Sequence, residues 1–152
     1  MHGRKVLLTC FAIVLAMLAC APNQSFAQKK VAISVGAAPG LPFSEGILVG
    51  NTLYISGTEG TDQSGKLKPG GITAETQQAL DNIHAILKKA GFEFSDVVSV
   101  TVYLADIKDF GEMNKVYRSV MPDPKPTRAT IQAAGLVNDA RIEISMIAVK
   151  EK

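Results

Sequence analysis

Two side chains near the end of the sequence could do chemistry, Arg128 and Glu143. Arg128 lies in the stretch TRATIQ, and a guanidinium can donate two parallel hydrogen bonds to a carboxylate. Glu143 interrupts the stretch RIEISMIAV and points away from the apolar residues beside it. We expect the two stretches to pair as a hairpin, which would make these side chains cross-strand neighbours. They form either an ordinary surface ion pair or a site for a small anion.

Four other parts of the sequence contain weaker candidates for a functional site. Asn114 lies among apolar residues of an expected helix, and Ser56-Gly57 ends an expected strand. His84 borders the apolar stripe of another expected helix, which favours a structural or surface role. Phe43 lies in the loop LPFSEG, where an aromatic ring more often packs against the core than stacks on a ligand.

The first residues have the pattern of a secretory signal peptide. A short basic start precedes an apolar run from Val6 to Ala21, and Ser25-Phe26-Ala27 fits a small-x-small cleavage site. We expect a leader at 1–27 and a periplasmic or secreted domain at 28–152. The alternatives are an uncleaved anchor, for which the run is short, and lipid attachment at Cys20.

Removal of the leader changes the composition. Arg4 and Lys5 leave, and the 16 basic residues of the chain then fall to the number of its 14 acidic residues. This balance gives no reason to expect nucleic acid or an anionic membrane as a partner. Cys10, Cys20 and His2 leave as well, so a metal site with several cysteine or histidine ligands is not expected.

The remaining chain predicts an α+β domain with the element order β-β-β-α-β-α-β-β. Gly50-Asn51 suits a two-residue hairpin turn, and Thr73 suits a helix N-cap followed by Glu75 in the first turn. Gly91 would end that helix. The other expected elements are strands at 29–35, 97–106, 127–133 and 140–149 and a helix from about Asp109.

Two helices would cover one face of the mixed sheet and leave the other face uncovered. The uncovered face is half polar and half apolar, and it contains Ser99, Thr101, Tyr103, Glu143, Ser145, Ile147 and Val149. Self-association would cover such a face. Glu143 would then lie near a subunit boundary, which favours the anion site over the surface ion pair.

The sequence from PFSEGILVGNTLYISG to RIEISMIAVK resembles the RidA/YjgF family of reactive intermediate deaminases. The segments TRATIQAAGL and IEISMIAV are the most specific part of this resemblance. It implies a chorismate-mutase-like α+β fold and a homotrimer whose sheets meet in a central barrel. It also implies active sites in the clefts between subunits.

Members of this family that are active hydrolyse 2-imino and enamine acids to 2-oxo acids and ammonia. The resemblance implies that Arg128 binds the substrate carboxylate and that Glu143 positions the attacking water. No metal or organic cofactor is implied, and the ligand is a small imino or keto acid. The substrate-binding residues that the resemblance implies are Phe43, Ser56, Gly57, Asn114 and Thr130.

Several positions depart from the family pattern and indicate an altered pocket. Phe43 stands where tyrosine is frequent, Thr130 replaces a common cysteine, Val137 replaces a frequent proline, and GTEG follows Ser56 where a glutamine-led segment is usual. A trimer that binds a small carboxylate without turnover is the alternative. Ribonuclease activity, a label of some relatives, is disfavoured by the balanced charge and by the single histidine, His84.

Overall fold

A six-stranded mixed sheet with two helices forms the part of the chain that the computed structural model describes, which is residues 28–36, 40 and 42–151. The expected leader, its cleavage site and Cys20 lie outside the described residues. The strands are β1 (Lys30–Ile33), β2 (Gly46–Val49), β3 (Thr52–Glu59), β4 (Val97–Leu104), β5 (Thr127–Gln132) and β6 (Ile142–Val149). The helices are α1 (Gly71–Lys89) and α2 (Phe110–Val120), with 3₁₀ turns at Phe94–Asp96, Ile107–Asp109 and Val137–Asp139.

The expected order of strands and helices is confirmed. In the sheet the strands are arranged β1-β2-β3-β6-β4-β5, with β4 and β5 parallel and every other pair antiparallel. The β2–β3 hairpin has the expected two-residue turn, since Val49 pairs with Thr52. Gly50 has a φ of 61°, which a glycine adopts without strain.

The expected hairpin of β5 and β6 is wrong. β5 follows α2, and a strand that returns after a crossover helix pairs parallel with the strand before it. It therefore lies beside β4 at the edge of the sheet, whereas β6 lies between β3 and β4. The alternation of IEISMIAV suits this central position, because every second residue of β6 is buried.

The start of α1 also differs from the expectation. The N-cap is Gly70, so Thr73 lies inside the helix and caps nothing. Gly70 and Gly71 have φ angles of 121° and 71°, which allow the chain to turn into the helix three residues earlier. Glu75 lies beyond the first turn and is buried, and its Oε2 accepts a hydrogen bond of 2.8 Å from Arg141 N. The helix ends before Gly91, as predicted.

Both helices pack on one face of the sheet and form the core there. The buried residues of β6 on this face are Ile142, Ile144, Met146 and Ala148, and the stripe of α1 opposite them contains Ala79, Leu80, Ile83, Ile86 and Leu87. The other face has no helix of the described residues on it. It exposes Tyr54 and Ile131 to 49% each, as the half-apolar pattern predicted. No helix in the described ranges is both long and apolar enough to cross a membrane.

Candidate active site

Arg128 lies on β5 opposite Val100 and faces the helices. Its Cζ atom is 4.5 Å from the centroid of the Tyr117 ring and 5.7 Å from that of Phe110. Two aromatic rings therefore hold the guanidinium by cation–π attraction. No carboxylate in the described ranges forms an ion pair with it. The guanidinium is positioned but not neutralised, which suits a receptor for an anion.

The surroundings of Arg128 contain two of the other predicted residues. Asn114 lies one turn of α2 from both Phe110 and Tyr117 and thus on the helix face that contacts the guanidinium. Thr130 is two residues beyond Arg128 on the same face of β5, and its Oγ1 is buried without a partner among the described residues. The apolar spacing of α2 predicts that Phe110 is buried, but the residue is 41% exposed beside Arg128.

Tyr117 is a further candidate residue, which contacts Arg128 from α2. The apolar spacing of α2 predicts a core residue at this position, and Tyr117 is buried. Its Oη has no hydrogen-bond partner in the described residues. Burial raises the pKa of this hydroxyl, although the positive charge and the nearby N–H donors of Arg128 oppose that shift. Tyr117 therefore packs against Arg128 as an uncharged phenol.

Replacement of Tyr117 by phenylalanine should leave the fold as stable as before or stabilise it by about 1 kcal/mol. The ring under Arg128 remains, and the variant removes a buried hydroxyl that makes no hydrogen bond. Thermal unfolding of both proteins at one concentration tests this expectation. A loss of more than about 1 kcal/mol would mean that the hydroxyl has a partner in the assembled protein.

Glu143 lies on the helix-free face of β6, in register with Glu59 on β3 and Tyr103 on β4. Its carboxyl group extends over Gly57, where a Cβ atom would lie 2.6 Å from Glu143 Cδ. The register of β3 and β6 shifts between Ile55 and Thr58, which marks a bulge at this point. Such bulges often redirect side chains beside active sites. Glycine at position 57 is therefore what allows the carboxylate to lie here.

The remaining predicted residues border this second group. Ser56 donates hydrogen bonds from N (3.0 Å) and Oγ (3.1 Å) to Glu45 O, so its hydroxyl anchors the preceding loop. The Glu45 carboxylate accepts 2.7 Å hydrogen bonds from Ser34 Oγ and Val35 N. Phe43, in the same loop, is 55% exposed and does not belong to the core.

Glu59 is a residue that the sequence did not suggest as functional. It faces Glu143 across the strand pair, and its Oε2 accepts a 2.9 Å hydrogen bond from Asn138 Nδ2. Burial raises the pKa of Glu59, and the negative charges of Glu143 and Glu75 raise it further, while the Asn138 hydrogen bond acts in the opposite direction. Only the register of β3 against β6 brings this side chain to Glu143, so periodicity alone could not find it.

The expected contact of Arg128 with Glu143 inside one chain is wrong. β4 separates the two strands, and Arg128 faces the helices whereas Glu143 lies on the helix-free face. The predicted residues thus form an arginine group (Arg128, Asn114, Thr130, with Tyr117) and a glutamate group (Glu143, Ser56, Gly57, with Glu59). The two groups lie on opposite faces of the sheet, with β4 between their strands.

Other features of the described residues contribute little to these groups. His84 stacks on Phe94 with 5.1 Å between the ring centroids, and its Nε2 lies 3.4 Å from Glu93 Oε2. These contacts agree with the predicted structural or surface role. No group of three potential metal-ligating side chains occurs in the described ranges. An open groove contains none of the predicted site residues and is lined by Asn51, Ser95, Asp96, Val98, Val149, Lys150 and Glu151.

Comparison with known proteins places the chain in a family. Residues 35–150 match the family model described as Endoribonuclease L-PSP. A human protein named 2-iminobutanoate/2-iminopropanoate deaminase is 46% identical over 121 residues, which cover 78% of this chain and 88% of that protein. The goat protein of the same name is 48% identical over the same length and the same shares of both chains.

Solved structures agree with the sequence comparison. RidA from an Antarctic Psychrobacter superposes with a TM-score of 0.75 and 36% identity, over 79% of this chain and 99% of that one. Escherichia coli TdcF with bound serine superposes with a TM-score of 0.73 and 30% identity, over 80% and 99% of the two chains. The mixed sheet with two helices on one face is thus the YjgF-like fold. The chain belongs to the RidA/YjgF family of the Endoribonuclease L-PSP model.

Proposed function

We propose that the protein hydrolyses small 2-imino acids to 2-oxo acids and ammonia. Relatives that are nearly half identical are named as deaminases of 2-iminobutanoate and 2-iminopropanoate. The observation that carries the proposal in this chain is the guanidinium of Arg128, which two aromatic rings hold without an ionic partner in the described residues. Such a group suits the carboxylate of an imino acid.

The proposed site lies between two copies of the chain. Within one copy Arg128 and Glu143 lie on opposite faces of the sheet with β4 between them. The exposed apolar residues of the helix-free face, Tyr54 and Ile131 among them, favour its burial against another copy. We therefore propose a homotrimer in which the arginine group of one protomer faces the glutamate group of the next.

The two groups would divide the chemistry between them. Arg128 holds the carboxylate while water adds to the carbon of the protonated imine, and Glu143 accepts the proton that the water loses. The electron pair of the C=N double bond moves to nitrogen. Glu143 then returns the proton to nitrogen, the C–N bond breaks, and the hydroxyl oxygen forms C=O while its proton leaves with ammonia as ammonium. Orientation and proton transfer at an electrophilic carbon supply the acceleration.

Residues 28–152 incubated with freshly generated 2-iminopropionate or 2-iminobutyrate test the proposal. The release of 2-oxo acid should be faster than in buffer alone, because both imines also react with water unaided. If the protein and the buffer give equal rates for both imines, the deaminase proposal fails. Binding of a small carboxylate without acceleration would then support the alternative, a carboxylate-binding trimer, for which the serine bound to TdcF is a precedent in a relative.

We further propose that residues 1–27 direct export and are removed before Gln28. The support is the basic start, the apolar run and the small-x-small site in the sequence. The intact mass of the protein recovered from cells tests this proposal. A mass that includes the leader, or one that shows lipid on Cys20, would contradict it.

A further inference from the structure

Glu59 places a second carboxyl group directly beside the one proposed to handle the proton. Cross-strand partners on one face of an antiparallel pair have Cβ atoms about 5 Å apart, and like charges at such positions repel. Glu59 and Glu143 are partners of this kind, and both are partly buried. No lysine or arginine of the described ranges forms an ion pair with either carboxylate.

Glu59 is held in place by Asn138, in the turn before β6, and by Asn82 on α1. Asn138, which donates to Glu59 Oε2 at 2.9 Å, has a φ of 58°, and Asp139 after it has a φ of 57°. Residues other than glycine are uncommon at such angles. The side-chain Nδ2 of Asn82 donates to Glu59 O at 3.1 Å and to Thr61 O at 2.8 Å. Both the carboxyl group and the backbone carbonyl of Glu59 are therefore held by hydrogen bonds.

We propose that Glu59 is a positioning residue for Glu143: its fixed negative charge repels the Glu143 carboxylate and keeps it above Gly57, where the bulge of β3 makes room. This inference rests on the proposed function for its consequence in turnover. The other titratable groups around Glu59 are Glu75 on α1, Tyr103 on β4, Asp139 in the turn and Arg141 before β6. Arg141 is bound to Asp109 and so does not neutralise the pair.

Glu59→Gln tests the proposal, because glutamine keeps the length and the oxygen that accepts from Asn138 but removes the charge. At pH 8 we expect kcat to fall about 3–10-fold with little change in KM, because the Glu143 carboxylate would be less well positioned while substrate binding is unaffected. As the pH falls toward the ordinary pKa of glutamate, Glu59 of the wild type becomes neutral as well. The kcat ratio of wild type to variant should therefore approach one. An unchanged kcat at pH 8, or a ratio independent of pH, would overturn the proposal.

Thermal stability provides a second readout that needs no turnover. The pKa of Glu59 is raised in the folded protein, so its charge costs stability above the ordinary pKa of glutamate and costs nothing below it. Glu59→Gln should thus raise Tm at pH 7 by about 1–4 °C, and the gain should vanish near pH 4. A residue with a merely structural role would lose stability when it is replaced.

Two further variants make the stability test specific. In a Glu143→Gln background the gain from Glu59→Gln should shrink, because the opposing charge is gone. Asp81→Asn removes an exposed charge from α1 and should change Tm less at pH 7. If the wild type turns over neither imine, the proposed function fails. The Tm values of the Glu59 and Glu143 variants still show whether the two carboxylates repel each other. No gain at pH 7, or a gain that is just as large in the Glu143→Gln background, would overturn the inference.

Discussion

Replacement of Arg128 by alanine should lower kcat/KM for 2-iminopropionate by about 100-fold or more. The guanidinium can offer two charge-assisted hydrogen bonds to the substrate carboxylate, each of roughly 1.5 kcal/mol or more, and about 1.4 kcal/mol corresponds to a factor of ten in rate. Initial rates of 2-oxo acid release over a range of imine concentrations measure this loss. Tyr117 and Phe110 hold the guanidinium group in place before the substrate binds.

Two matched variants separate this effect from loss of fold. Arg118→Ala removes an exposed arginine from α2 and should keep full turnover. Arg128→Lys keeps the charge but not the planar fork, so we expect intermediate turnover. Arg128→Ala should also lose about 0.5–2 kcal/mol of stability with its cation–π contacts, and unfolding curves report this separately. Wild-type turnover in Arg128→Ala would contradict the assignment.

Replacement of Gly57 by alanine should lower kcat about 100-fold while the fold persists. The new Cβ atom would lie where the Glu143 carboxyl group now lies, 2.6 Å from its Cδ. The end of a glutamate side chain can rotate away, so the change displaces the carboxylate and leaves the backbone in place. A displacement of about 1 Å at a catalytic group can cost on the order of 100-fold in rate.

Gly111→Ala is the control for that substitution. Gly111 lies in the first turn of α2, and beyond its chain neighbours and the adjacent helix backbone no described heavy atom lies within 4 Å of the Cβ atom that alanine would add. Alanine favours a helix more than glycine does, so this variant should be as stable or slightly more stable. Turnover should equal that of the wild type. If Gly57→Ala and Gly111→Ala were equally active, Glu143 would not act from its position above Gly57.

The alternation of IEISMIAV explains why the face of Glu143 could be predicted from the sequence. In a central strand that buries every second residue, only one register places the apolar side chains in the core. A slip by one residue would move these side chains to the other face of the sheet. The same reasoning identified the helix-free face and its half-apolar character. The end of α1 at Gly91 followed from local chemistry alone.

The position of Arg128 could not be predicted in this way, because it depends on which strand β5 pairs with. TRATIQ is an edge strand with most of its residues exposed, so its pattern does not reveal its neighbour. The start of α1 was misplaced because Thr73 has the side chain of a good N-cap, whereas the chain begins the helix through Gly70 and Gly71. Glu59 remained unnoticed since its partner is 84 residues away and is set only by the bulged register of β3.

The most direct test of a site shared between protomers is complementation of two inactive variants. Arg128→Ala and Glu143→Gln would be mixed in equal amounts, unfolded and refolded together, and assayed with 2-iminopropionate. If each site takes its arginine from one protomer and its glutamate from the next, about one site in four of a randomly mixed ring is intact. We predict recovery of about that share of wild-type turnover. If the refolded mixture is as inactive as the separate variants, while wild type refolded in the same way is active, the shared site is contradicted.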